Sequence, residues 1–134
     1  MRFLFENREK IDKLDSHDGM FEGYSFDSEK RRISMSWMHG FEKNKRVHLR
    51  FNHVIYSEMQ SYQIWGPGLK RIYHMWHVDD SLQMKKMKEL IDIDRKENYR
   101  SIKEVNYIQI IIKIVSGDEL TIICESMDWE EEII

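Results

Sequence analysis

The chain has 134 residues, 41% hydrophobic and 34% charged, with a net charge of −3 from 21 basic and 24 acidic side chains. Residues 1–134 are read as one globular domain, long enough to bury a core without disulfides or a structural metal. The hydrophobic content excludes a disordered chain, and the near balance of charge gives no general pull toward nucleic acid or an anionic membrane.

The first fifteen residues are charged from Glu6 onward and lack the apolar core and cleavage site of a secretory signal. No apolar run approaches the ~20 residues that cross a bilayer. The single cysteine, Cys124, cannot form an internal disulfide and suits a reducing compartment, so a cytoplasmic protein is expected.

Asn7 is placed to cap a short helix that sets Ile11 and Leu14 on one face, and Asp15 to Gly19 break it. Met20, Tyr24 and Phe26 then share one parity, interrupted at Glu22. Beyond the polar DSEK, Ile33, Met35 and Trp37 alternate with Ser34 and Ser36. A two-residue period marks strands with one buried face. Pairing Phe26 with Arg31 sets Tyr24 opposite Ile33 and Met20 opposite Trp37, which collects the apolar side chains on one side. After EKNKR a third strand alternates Val47, Leu49 and Phe51 with polar residues and is expected to run through Val54 toward Tyr56. The WGPG breaker, Trp65 to Gly68, precedes a fourth strand over Leu69 to Val78 with both faces partly covered.

The period changes after Val78. Asp80 or Ser81 can cap a helix that aligns Met84, Met87 and Ile91 on one face, with Leu90 beside them. Lys103 to Val115 reads as the longest strand, and its β-branched density predicts a central position. Val115, Ser116 and Gly117 form a three-residue loop with Gly117 in the left-handed position. That loop sets Ile108, Ile110 and Ile112 opposite Cys124, Ile122 and Leu120, and Ile114 opposite Asp118. A two-residue loop would scatter the apolar residues instead. The expected fold is α+β or mainly β: a bent antiparallel meander of about six strands, with a small open barrel as its limiting form and one helix between strands four and five.

His17–Asp18 is the most site-like feature of the chain. A metal centre would need further ligands, and His39, His48, His53, His74 and His77 form no recognised spacing with it. The preferred reading is structural, with Asp15, Ser16 and Asp18 bonding turn amides and His17 pinning the turn. The competing reading is a small metal-dependent or hydrolytic enzyme that uses His17 and Asp18. Cys124 lies mid-strand among isoleucines, no serine occupies a Gly-x-Ser-x-Gly elbow, and GPG is not followed by a helix start. No catalytic, cofactor-binding or metal-ligating residue is assigned, and no cofactor is expected.

Two aromatic places suit a partner. One is the Trp65 turn, near Lys70, Arg71, Tyr73 and Trp76. The other is the acidic tail, where Glu130, Glu131 and Glu132 follow Trp129 and Asp128. The tail is preferred, with Trp129 as anchor and a basic protein as partner.

The opening LDSHDGMFEGYSFD, the run RISMSW and the late SGDELTIIC resemble, over most of the chain in outline, small bacterial proteins of uncharacterised function. Those begin with a His-Asp turn before an antiparallel sheet, and some resemble immunity proteins of toxin systems. The resemblance implies a non-enzymatic binding module and assigns no catalytic residue. A homo-oligomeric structural protein is the remaining alternative.

Overall fold

The structure is a computed structural model that describes residues 1–60, 70–98 and 105–134. Its elements in chain order are β1 (Arg2–Phe3), a 3₁₀ segment (Phe5–Lys13), β2 (Met20–Asp27), β3 (Arg32–Met38), β4 (Lys45–Asn52), β5 (Tyr56–Gln60), β6 (Ile72–Val78), α1 (Leu82–Asn98), β7 (Ile108–Ile114), β8 (Glu119–Cys124) and β9 (Ser126–Ile133). The strands form two antiparallel sheets, ordered β1-β9-β4-β3-β2 and β5-β8-β7-β6. The α+β reading holds. The six-strand sequential meander does not, because the described residues form nine strands and β9 inserts between β1 and β4. The sheets do not close into a barrel. One isolated bridge, Met20 to Arg71, joins their edges.

The chain passes between the sheets at two adjacent corners. β4 leads into β5 across His53 to Ile55, and β8 leads into β9 across Glu125 alone. His53 takes the left-handed conformation (φ 51°) that ends β4, so the third strand stops at Asn52 instead of running through Val54. The amide of Glu125 donates to the Asn52 carbonyl (3.1 Å) and that of Ile55 to the Ile123 carbonyl (2.9 Å). Backbone pairing therefore turns the corner without leaving buried polar groups unmatched.

The shared core takes the alternate residues that face inward. Ile33, Met35 and Trp37 of β3, Val47, Leu49 and Phe51 of β4, and Met127 and Trp129 of β9 meet the isoleucines of β7, with Leu120, Ile122 and Cys124 of β8. Trp37 and Trp129 pack edge to face, 5.7 Å apart at 70°. The predicted β7–β8 register is observed, with Ile108, Ile110 and Ile112 opposite Cys124, Ile122 and Leu120. Gly117 (φ 95°) makes the turn, and the amide of Ile114 donates to the Asp118 carbonyl. β7 is internal to its sheet, as its composition predicts, but at seven residues it is shorter than the eight-residue β2, β4 and β9, because Val105 to Tyr107 lie outside the strand.

The first hairpin departs from its predicted register. Phe26 faces Ile33 and Tyr24 faces Met35, a shift of two residues. A shift of two preserves parity, so the alternation alone could not exclude it. A bulge between Phe21 and Gly23 then changes parity at the Glu22 interruption, turning Phe21 toward the core and leaving Met20 exposed.

α1 lies on the second sheet, where Met84 joins Tyr107 and Ile123, with Met87 and Ile91 alongside. The Ser81 hydroxyl accepts from the Met84 amide (2.9 Å), as a helix N-cap does. Leu90 is exposed, outside the buried stripe. At the N-terminus the short helix is 3₁₀. Asn7 has non-helical backbone angles within it and accepts the Leu4 amide, while Ile11 is fully buried.

Candidate functional site

The LDSHDG turn lies along the edge of β6. The Asp18 amide donates to the Ile72 carbonyl (2.8 Å), and the Ile72 amide donates to the Gly19 carbonyl (2.7 Å). His17 Nδ1 lies 2.9 Å from the Tyr73 carbonyl oxygen. A carbonyl only accepts, so Nδ1 carries the proton. Further along, the His77 amide donates to the Asp12 carboxylate (2.7 Å). An open strand edge is a template for unwanted pairing, and these contacts occupy this one. The carboxylate of Asp18 stands 3.6 Å from His17 Nε2, an ionic separation longer than a good hydrogen bond.

Glycines let the turn approach its neighbours. A Cβ on Gly19 would lie 2.5 Å from the Trp37 ring, and one on Gly40 would lie 2.7 Å from the His17 carbonyl oxygen. The turn is thus built into the packing around Trp37. Among the described residues no group of three or more His, Cys, Asp or Glu side chains is arranged to hold a metal ion.

The other histidines are engaged in structure as well. Buried His39 accepts the amides of Phe41 and Glu42 on Nδ1 and faces Asp15 through Nε2 at 3.1 Å, which fixes the turn between β3 and β4. His77 lies between Asp12 and Asp79, and Asp79 also holds Arg8 of the 3₁₀ segment. The Arg8 guanidinium holds the Asp79 carboxyl below its ordinary range. His53 stacks on Tyr107 and His74 on Trp76, whereas His48 bonds Glu132 at 2.6 Å. Burial pushes the Cys124 thiol up, which removes it as a nucleophile at neutral pH.

Placement of the acidic tail differs most from expectation. Residues 126–133 form β9, an internal strand, rather than a solvated terminus. Trp129 is 6% exposed in the core, so its ring is not a surface anchor. Much of the tail's charge is met by β4 and β1. Arg2 and Asn52 bind Asp128, Lys45 binds Glu131, and His48 binds Glu132. Each of these three carboxyls is held below its ordinary range, by hydrogen bonds first from Arg2, Lys45 and His48 respectively. Glu130 is exposed on the outer face, opposite His48 in the ladder. Trp65 lies outside the described residues. Of its expected neighbours, Lys70, Arg71 and Tyr73 are exposed and Trp76 is half-buried.

Among the described residues a hollow of about 330 Å³ lies beside the turn at Asp18, His39, Gly40, Lys43 and Arg71, and two larger concave regions and one exposed patch could receive a ligand. A cleft of about 600 Å³ opens between the 3₁₀ segment, α1 and the approach to β7, where Phe5, Ile91 and Tyr107 meet Lys88, Arg95 and Glu125. Burial raises the Tyr107 phenol, so it stays protonated there. A shallower hollow of about 480 Å³ crosses the outer face of β2, β3 and β4, floored by Gly23, Ser34 and Ser36 and flanked by Glu22, His48 and Arg50. Glu22 is taken up by Arg46 and Ser36. Neither region brings a nucleophile and a base into a catalytic arrangement among the described residues.

The patch lies where the β3–β4 turn meets the end of β9. Phe41 is 69% exposed and Ile133 77% exposed. Ile133 sits opposite Lys45 in the ladder, and the Ile134 amide donates to the Asn44 carbonyl (2.7 Å). Lys45 ties the two segments through Glu42 and Glu131. Sequence reasoning missed Phe41, although an aromatic residue inside the polar GFEKNK turn was a visible signal.

No family model matches the chain, and neither a curated protein nor a solved structure shows significant similarity to it. Among the described residues no helix is long and apolar enough to cross a membrane.

Proposed function

We propose that the protein is a non-enzymatic binding module of the immunity type, which recognises a basic protein through the patch at the β3–β4 turn and the end of β9. One observation carries this reading. Exposed apolar side chains, Phe41 and Ile133, lie at that end of the sheet with the exposed carboxylates of Glu42 and Glu131, Glu131 sharing the face of β9 that carries Ile133. Apolar anchors supply most of the energy of a protein contact, while surrounding charge sets partner choice and encounter rate. Phe41 takes the anchoring role first expected of Trp129, and of the tail's carboxylates Glu131 lies on the same face as Ile133.

The test is capture from lysate of the source cells by the immobilised wild-type chain and by a Phe41→Ala, Glu42→Lys variant. The wild type should retain a basic protein that elutes as salt rises, because exposed charges are screened beyond about 10 Å at 0.1 M. The variant should lose it. Equal retention by both proteins, or a retained partner that is acidic, overturns the reading.

A further inference from the structure

α1 buries Met84, Met87 and Ile91 against the second sheet, yet it carries another apolar stripe on the opposite side. Leu82, Leu90 and Ile93 are 83%, 49% and 51% exposed. With Lys86 they fall at i, i+4, i+8 and i+11, the spacing of a single helix face. Leu82, Leu90 and Ile93 thus form an apolar face of α1 interrupted by Lys86.

We infer that this stripe is the contact surface for a second copy of the chain, packed antiparallel across a two-fold axis. The argument is the charge pattern of the stripe itself. In a two-fold antiparallel pair, facing positions have residue numbers with a constant sum. The register that sets Leu82 on the second copy's Ile93 also sets Lys86 on the second copy's Glu89, since 82 + 93 equals 86 + 89. Symmetry repeats both contacts, giving two apolar meetings at the ends and two opposite-charge meetings in the middle. Lys86 and Glu89 are both exposed and enter no ion pair among the described residues. Leu90 then lies over the aliphatic stem of the second copy's Lys85, which long lysine side chains commonly provide. A parallel pair would instead set Lys86 against Lys86 and repel.

The contact spans twelve residues, about 18 Å of helix at 1.5 Å per residue. That is small for an obligate interface, so the dimer is reversible and concentration-dependent.

Sedimentation velocity of the full chain, from micromolar to millimolar, reads this directly. The wild type should shift from monomer to dimer over the series. Lys86→Glu and Glu89→Lys should each weaken association by about tenfold, the scale of two exposed ion pairs replaced by like-charge contacts. The double exchange, Lys86→Glu with Glu89→Lys, should restore it. Leu82→Asp should leave the chain monomeric, and circular dichroism should show every variant folded because all the changed side chains are exposed. A wild type that stays monomeric throughout overturns the inference. So does a dimer that neither the charge variants nor Leu82→Asp affect, since its interface would lie elsewhere.

Discussion

At His17 a residue with the look of a catalyst acts as a fastener. Its Nδ1 proton is committed to the Tyr73 carbonyl, and its neighbour Asp18 contributes a backbone amide to Ile72. Asp18 also accepts a left-handed backbone (φ 62°), a conformation aspartate tolerates better than most side chains. His17→Ala should lower stability by about 1 kcal/mol, the usual scale of one hydrogen bond, measured by urea denaturation. A loss above about 3 kcal/mol would mean that the ring does more than seal an edge. Recognising the turn was possible from its polar, glycine-ended composition. Finding its partner was not, because Tyr73 lies 56 residues away along the chain.

At the scale of elements, β9 differs most from its appearance. Its second half, Glu130 to Ile133, is exposed, while Met127 and Trp129 are core residues. Four carboxylates among its eight residues suggest a solvated tail when read alone. They are tolerable in a strand because β4 places Lys45, Arg46, His48 and Arg50 alongside, and opposite charges across a ladder attract. Removing residues 128–134 should therefore unfold the protein, not merely trim a docking segment. It takes away Trp129, the partner of Trp37, and most of the strand that joins β1 to β4. The loss of one large core aromatic alone costs about 3–5 kcal/mol. A truncated chain that keeps a cooperative thermal transition near the wild-type temperature would contradict this placement.

For the molecule as a whole, carboxylates stitch the layers and ends together. Asp79 holds the 3₁₀ segment to β6 through Arg8, Asp128 holds β1 to β9 through Arg2, and Glu131 holds β9 to Lys45. Each is held below its ordinary pKa in the fold by those hydrogen bonds. The unfolded chain then binds more protons than the native state in the acid range, so stability rises with pH there. The contribution is complete above the unfolded values of about 4 and is lost as pH falls through the lower folded values. The melting temperature should drop on acidification from pH 5 toward pH 2.5, by about several degrees. The drop should be smaller in Asp128→Asn. A melting temperature that is flat across that range would show these links to be energetically silent.

What the sequence alone determined was local and periodic. The β7–β8 register was legible because Gly117 suits the left-handed position of a three-residue loop, and that loop collects seven apolar side chains on a single face where a two-residue loop scatters them. The helix over Met84, Met87 and Ile91 was legible because its period and its Ser81 cap agree. β2, β3 and β4 were legible as strands whereas β1 was not, and the first hairpin slid by two residues because alternation cannot distinguish registers of equal parity. The candidate site was legible only as a turn, and the Phe41 patch needed β9 to be placed. Only the tertiary structure decided which strands distant in sequence are neighbours. β4 selects β9 across more than 70 intervening residues because their inner faces complete one core and their outer faces carry opposite charge. Those are properties of two distant segments taken together, and neither segment displays them on its own.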